Sequence, residues 1–313
     1  MKILVLGAGG IGGYVGGRLT QAGADVTFLV REKRKQQLEA GGLRIESVYG
    51  SATITVKAKL KSEVGPEYDL VLLTCKAYDL PDAIESVAPA IGEQTVILPL
   101  LNGIAHIEML TKRFGAARTW GGTAKIAVQL TPEGTVRHLN DWRNITFGAQ
   151  EEVQPPKVAQ FQALVEKAGI EAIVSPNIRR DLWMKLTHLA TVATMTSLLR
   201  ANVGEIVRTG DGAAMFQEVL RTHMEVATRE GYKPDQKFIN YYTDLFSQAD
   251  STYEASLARD IERGGQIESD HILGFMLEKC RAHGLPDQIH RAAYVAAKAY
   301  ELRRAANRLP QRA

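Results

Sequence analysis

Over roughly the first 150 residues, short β-rich runs alternate with helical stretches, the pattern of a parallel sheet with crossover helices. KILVL (2–6), DVTFLV (25–30), DLVLLTC (69–75) and TVILPL (95–100) are predicted strands. Between the first two, Ile11 to Ala22 is predicted as a helix closed by Gly23, and Pro81 to Ala90 as a helix that opens on proline. From Lys125 to Phe147 the runs KIAVQL, TVRHL and NITF, separated by PEG and DW turns, predict a small antiparallel extension of the sheet. A helix near 155–168 and the run EAIVS follow. After Ser175-Pro176 the period becomes helical, with long stretches at 178–199, 211–231, near 251–263, at 269–283 and from about 287 to 304. The expected class is α/β: a doubly wound parallel sheet over 1–175, then an all-helical domain over 176–313, with a basic, frayed tail RRAANRLPQRA.

Composition narrows the function. Apolar residues make up 45% and charged residues 23%, as in a folded globular protein, and 313 residues suffice for two cores. The formal net charge of +3 is too small for a general nucleic-acid or anionic-membrane surface, while a small anionic ligand stays open. Cys75 and Cys280 form no disulfide framework, which fits a reducing, cytoplasmic setting. Glycines interrupt the apolar start MKILVLGAGGIGG, so it is not expected to be a signal peptide, and no apolar run approaches the ~20 residues that cross a bilayer.

Gly7-Ala8-Gly9-Gly10-Ile11-Gly12 is a GxGxxG placed directly after a predicted strand and opening a predicted helix. Gly7 allows the tight turn, Gly9 lets the backbone approach a pyrophosphate, Gly12 lets helix and strand pack, and the helix N-terminus offers N–H groups to phosphate. The expected domain is therefore of Rossmann type and binds a dinucleotide. An NAD site would put an acid at the end of the second strand. Here Val30 is followed by Arg31-Glu32-Lys33-Arg34-Lys35, a cluster suited to a 2′-phosphate with Arg31 placed for a bidentate grip, which favours NADPH. Glu32 as a displaced NAD acid, or a merely solvated charge run, is the competing account. Lys76 and Asn102-Gly103 follow the third and fourth predicted strands, at the carboxyl ends where open sheets bind ligands. Each is equally consistent with an ordinary loop cation and a turn.

In the first long helix Lys185 stands three residues after Leu182 and four before Leu189, so its stem lies beside an apolar stripe. It could be a proton donor, or the partner of Asp181 in an i,i+4 ion pair. Glu268 follows Gly264-Gly265, a helix stop, and precedes Ser269, a plausible cap for the next helix. It could orient Lys185 or be a capping-region glutamate. The seven histidines show no HExxH and no paired His/Cys cluster, Cys280 and His283 standing one turn apart by ordinary packing, so no metal is expected. GxSxG is absent, against a serine hydrolase.

These residues together resemble the 2-dehydropantoate 2-reductase (ketopantoate reductase) family over almost the full length. The resemblance rests on GAGGIGG, Arg31, Lys76, Asn102-Gly103, Trp183-x-Lys185-Leu186 and Ser256-x-x-x-Asp260-x-x-x-Gly264-x-x-x-Glu268-x-Asp270. It implies a Rossmann domain, a helical C-terminal domain, a reaction in the cleft between them, and reduction of 2-dehydropantoate to (R)-pantoate with NADPH. It also implies Lys185 as proton donor, Glu268 as its acidic partner near cofactor and substrate, Lys76 and Asn102 lining the cleft, and Ser256 binding substrate. An ammonium beside the ketone would stabilise and protonate the alkoxide left by hydride transfer.

The chain departs from the family where substrate is read. Family members typically carry asparagines where this chain has Leu189, Ala193 and Val203. A site that hydrogen-bonds a hydroxyl discriminates through such groups, so a more apolar 2-oxo acid is the near alternative. A non-catalytic NADPH-binding sensor is the alternative from another class. The long C-terminal helices would suit a homodimer face or simply close the domain.

Overall fold

The computed structural model describes residues 1–151 and 153–309. The chain divides into two compact units, Met1–Leu182 and Trp183–Ala313. The first contains strands β1 (Lys2–Leu6), β2 (Asp25–Leu29), β3 (Leu43–Glu46), β4 (Ala52–Ile54), β5 (Lys57–Lys59), β6 (Leu70–Leu73), β7 (Val96–Pro99), β8 (Gly121–Lys125), β9 (Val128–Leu130), β10 (Val136–His138), β11 (Asn144–Gly148) and β12 (Glu171–Val174). Its helices are α1 (Gly10–Gln21), α2 (Glu32–Gly41), α3 (Leu80–Val87), α4 (Ala105–Phe114), α5 (Pro156–Lys167) and the start of α6 (Ile178–Leu199).

The central sheet has the order β5-β2-β1-β6-β7 with every pair parallel. The chain winds outward from β1 in both directions, the doubly wound arrangement expected from the alternating pattern. Continuous apolar runs make β6 and β7: LVLL and VILP are buried at every position, because helices cover both faces.

The expected antiparallel extension is instead split between two small mixed sheets. β9 and β10 pair antiparallel within a four-stranded sheet ordered β4-β3-β10-β9, in which β10 runs parallel to β3. β8 and β11 pair antiparallel in a three-stranded sheet with β12 parallel to β11. An isolated Ile97–Thr119 bridge, with the Trp120 N–H donating to the Ile97 carbonyl at 2.9 Å, ties this second sheet to β7.

The reason for the separate four-stranded sheet lies in α1. A Cβ on Gly16 would stand 2.7 Å from the Phe28 ring of the central sheet, and one on Gly17 would stand 2.8 Å from both Ile45 and Leu43 of β3. Helix α1 is thus gripped between two sheets, at a closeness that only hydrogen in place of a side chain permits.

The second unit holds the rest of α6, then α7 (Val203–Val207), α8 (Gly212–Arg229), α9 (Gln236–Leu245), α10 (Ser256–Glu262), α11 (Phe275–Ala282), which follows a π turn at Asp270–Gly274, and α12 (Gln288–Ala305). Helix α6 starts where Asn177 Oδ1 accepts the Arg180 N–H at 3.1 Å. It then becomes the centre of this unit, with Leu186, Ala190, Val192, Ala193 and Met195 at most 2% exposed.

Beside it runs a buried polar chain. Thr191 Oγ1 and His223 Nδ1 are 3.0 Å apart, His223 Nε2 and His290 Nδ1 3.0 Å, and His290 Nε2 and the Leu273 carbonyl 2.7 Å. A carbonyl only accepts, so His290 carries a proton on Nε2, while its Nδ1 faces both His223 Nε2 and, at 2.9 Å, the Thr194 hydroxyl. Burial pushes both histidines below their ordinary values, His223 strongly. The tail expected to fray is helical through Ala305, with Arg304 Nε donating to the Gly264 carbonyl at 3.0 Å, and residues 310–313 lie outside the described residues.

Candidate active site

The glycine loop turns directly from β1 into α1. Gly7 takes φ +89°, and its N–H donates to the Leu29 carbonyl at 2.9 Å. A Cβ on Gly12 would sit 2.2 Å from the Gly7 carbonyl oxygen and 2.3 Å from Thr74 Oγ1, itself fixed by donating to the Leu6 carbonyl at 2.7 Å. A Cβ on Gly9, by contrast, would meet nothing within 4 Å. The first α-helical bond of the turn runs from the Gly13 N–H to the Gly9 carbonyl at 2.9 Å. The N–H groups of Gly10, Ile11 and Gly12 precede that bond and, as in the first turn of any helix, have no acceptor within the helix. Backbone open at Gly9, pinned at Gly12 and headed by a helix N-terminus fits a dinucleotide pyrophosphate.

Helix geometry sorts the charge run after β2 into separate roles. Arg31 is the N-cap residue of α2, its side chain 83% exposed and its guanidinium 3.9 Å from Asp79. Glu32 lies in the first turn and accepts from Gln36 Nε2 at 2.9 Å. Lys33 is exposed, whereas Lys35 is bound to Glu63 at 2.8 Å. Arg34 turns back onto the glycine loop: its Nε and one terminal nitrogen donate to the Ala8 carbonyl at 3.2 and 2.9 Å, and the other donates to Gln37 at 3.1 Å. Partial burial pushes its pKa down. Arg34 is thus a brace of the loop, a role the sequence did not distinguish from those of its neighbours.

The sheet register places three of the expected features along one edge. Leu6 pairs with Leu73 and Leu73 with Pro99, so the chain leaves β1, β6 and β7 side by side. Beyond those strand ends stand the glycine loop, exposed Lys76 at the cap of a short 3₁₀ turn, and half-buried Asn102 before Gly103, whose φ is +87°. Asp79, near Arg31, belongs to the turn that Lys76 opens.

In the second unit, Lys185, His188 and Leu189 form a half-buried stripe on α6, whose other residues from Trp183 to Ser197 are buried. Ala193 and Val203 stand at 2% and 0% exposure and belong to the core, so of the three positions that depart from the family's asparagines only Leu189 lies on this stripe. Ser256 is the exposed first residue of α10. That helix stops as expected: Gly264 takes φ +72° and the Gly265 N–H donates to the Asp260 carbonyl at 2.8 Å.

Glu268 follows with 8% exposure, between buried Ile267 and Ser269. Ser269 does not cap the next helix through its side chain. Its backbone is already helical, and its hydroxyl donates to Glu301 on α12 instead. The sequence also passed over His188 and Tyr253, whose Nε2 and hydroxyl meet at 2.6 Å. A signal was available, since each stands three residues from a position singled out above, Lys185 and Ser256. Among the described residues no group of three or more His, Cys, Asp or Glu could hold a metal ion, and no helix is long and apolar enough to cross a membrane.

Comparison with known proteins adds a family. Two family models match, "Ketopantoate reductase PanE/ApbA" over residues 3–152 and "Ketopantoate reductase PanE/ApbA C terminal" over residues 177–301. Among curated relatives, the uncharacterized oxidoreductase YkpB of Bacillus subtilis (strain 168) is 33% identical over 301 residues, covering 96% of this chain and 99% of that protein. A 2-dehydropantoate 2-reductase of Pyrococcus horikoshii is 29% identical over 305 residues, covering 96% and 98%. A solved PanE/ApbA family ketopantoate reductase from Ralstonia eutropha JMP134 superposes with a TM-score of 0.87 at 26% identity, covering 97% of this chain and 100% of that one.

Proposed function

The chain belongs to the ketopantoate reductase PanE/ApbA family of oxidoreductases, and on that footing we propose that it reduces the ketone of a 2-oxo acid with NADPH, 2-dehydropantoate to (R)-pantoate being the first reaction to test. The observation that carries the proposal is the strand-end edge. There a glycine loop open at Gly9 and pinned at Gly12 stands beside Lys76, Asn102 and an exposed Arg31.

Residues 1–175 hold the cofactor and 176–313 supply the catalytic groups. Gly7, Ala8, Gly9, Gly10, Ile11 and Gly12 bind the pyrophosphate, and Arg31, at the N-cap of α2, pairs with the 2′-phosphate. Lys76 and Asn102 line the nicotinamide side. The bound nicotinamide supplies the hydride to the ketone carbon. Lys185 holds an ammonium proton near the ketone oxygen and gives it up as the alkoxide forms, with Glu268 keeping that ammonium charged and directed. Asn102 and Ser256 bind the acid itself. Lys185 is suited to this task because its stem runs through buried neighbours while it remains on the half-buried stripe of α6.

A second assignment keeps the chemistry and changes the substrate to a more apolar 2-oxo acid. It is favoured by Leu189, an apolar side chain one turn from Lys185 on the same stripe. Initial rates of NADPH oxidation with 2-dehydropantoate, beside other 2-oxo acids and an NADH control, separate the two. A kcat/KM highest for 2-dehydropantoate supports the first and activity confined to another acid supports the second. Tight NADPH binding without turnover on any acid overturns both in favour of a sensor.

A further inference from the structure

The second unit carries an aromatic cluster that the proposed reaction does not use. The His188 ring stacks on Tyr242 of α9, with centroids 4.5 Å and planes 22° apart. Tyr253 lies 5.8 Å from the same ring at 23°, so both tyrosines run nearly parallel to the imidazole. Phe246, 6.3 Å from His188 at 25°, continues the cluster inward and stacks on Phe216 at 5.1 Å. The inner pair is fully buried. The outer members are not: His188, Tyr242 and Tyr253 are half-buried, Tyr241 against Tyr242 is 59% exposed, and no residue of α9 is fully buried. One side of the cluster is core and the other is partly exposed, most of all at Tyr241.

Its position ties it to the chemistry. His188 stands at i+3 from Lys185, so the two share a helix face with Cβ atoms about 5–6 Å apart. Tyr253 stands three residues before Ser256. The bond between His188 Nε2 and the Tyr253 hydroxyl therefore fastens the segment leading into Ser256 to α6, one turn from the proposed proton donor. Leu189, at i+4 from Lys185, adds an apolar neighbour where an amide would read a hydroxyl.

We propose that His188, Tyr242 and Tyr253 are the specificity surface of the substrate site and select 2-oxo acids bearing a flat aryl side chain over branched or hydroxylated aliphatic ones. Near-parallel rings accept another ring by offset stacking, an interaction beyond area burial that a branched aliphatic chain does not make. Burial also pushes the Tyr242 phenol up to about 12, so its ring stays neutral throughout the working pH range. The inference rests on the reductase assignment and, within it, takes the second substrate assignment, a more apolar 2-oxo acid, and names its class.

The test uses the full chain with NADPH. Phenylglyoxylate and phenylpyruvate are compared with 2-dehydropantoate and 3-methyl-2-oxobutanoate by kcat/KM, and phenylglyoxylate binding is measured separately by calorimetry in the presence of NADP⁺. At least one aryl acid is expected to exceed both aliphatic acids by about tenfold or more, the scale of one stacked ring plus its buried area. Tyr242→Leu should cut that ratio by about tenfold with NADPH affinity unchanged, and Tyr242→Phe, which keeps the ring, should retain it. If Tyr242→Leu does not fold, His188→Leu is read by the same ratio.

Preference of the unaltered protein for an aliphatic acid, or an aryl ratio indifferent to loss of the ring, overturns the specificity surface and leaves the reductase assignment standing. Turnover of no acid overturns the reductase assignment. Absence of phenylglyoxylate binding together with no phenylpyruvate preference in kcat/KM overturns the surface.

Discussion

The brace from Arg34 to the glycine loop and the exposed guanidinium of Arg31 make opposite claims about cofactor selectivity. Arg34→Met removes two donors from the Ala8 carbonyl and one from Gln37 while keeping the apolar stem. Hydrogen bonds from a charged group contribute about 1.5–3 kcal/mol. The desolvation that pushes the Arg34 pKa down is relieved in the variant, leaving a net loss of about 1–2 kcal/mol in loop order. At 1.4 kcal/mol per tenfold, this corresponds to a roughly five- to thirtyfold rise in Kd. In the proposed site the loop holds the pyrophosphate, which NADPH and NADH share, so both should weaken by the same factor. Arg31→Met should instead weaken NADPH by roughly fivefold and leave NADH unchanged, because a 2′-phosphate is its only proposed partner on the cofactor. Fluorescence titration of both cofactors against both variants reads this directly. Loss confined to NADPH in Arg34→Met would show that Arg34 grips the 2′-phosphate, and loss of neither cofactor would show that the brace is idle.

Gly12→Ala forces a methyl to 2.2 Å from the Gly7 oxygen, a contact that backbone must move to relieve, so Tm should fall and cofactor Kd should rise more than tenfold. Unchanged titrations would contradict the pinned-loop geometry. The buried His223–His290 pair gives an acid dependence. Folded values held below the ~6.5 of the unfolded chain mean that, as pH falls through ~6.5, the unfolded state takes up protons first. Each histidine then costs about 1.4 kcal/mol per pH unit until its folded value is reached, with no contribution well above ~6.5. His271, also lowered by burial despite the opposing charge of Glu268, acts in the same direction. Thermal melts from pH 8 to pH 5 should be flat above ~7 and fall steeply below ~6, and a flat profile through pH 5 would refute neutral burial.

Legibility in the sequence followed how strongly one pattern ruled each segment. Helix α6 runs from 178 to 199 as expected, because Asn177 caps it and its apolar positions keep helical period throughout. The central strands were equally plain, since LVLL and VILP are buried on both faces and need no register to be recognised. Helix α2 was hidden by its composition: in EKRKQQLEAG only Leu38 is buried, so no apolar stripe marks it. Strands β3, β4 and β5, of three or four residues each, are too short to show alternation, and without β3 and β4 the sheet holding β9 and β10 resembles a simple extension of the central one. Of the site, the glycine loop was legible because backbone geometry demands glycine there. The Arg34 brace and the bond between His188 and Tyr253 join residues 26 and 65 positions apart, and only the fold reveals such partners.

The central claim is that Lys185 delivers the proton in an NADPH-dependent reduction of a 2-oxo acid. It is tested most directly by Lys185→Ala, with kcat measured on whichever 2-oxo acid the unaltered protein turns over best and NADPH Kd measured in parallel. A general acid contributes 10²–10⁴-fold, so kcat should drop by roughly a hundredfold or more while NADPH Kd stays within about twofold. A kcat within a few-fold of the unaltered protein, or a loss explained by weakened NADPH binding, would contradict the role given to this lysine.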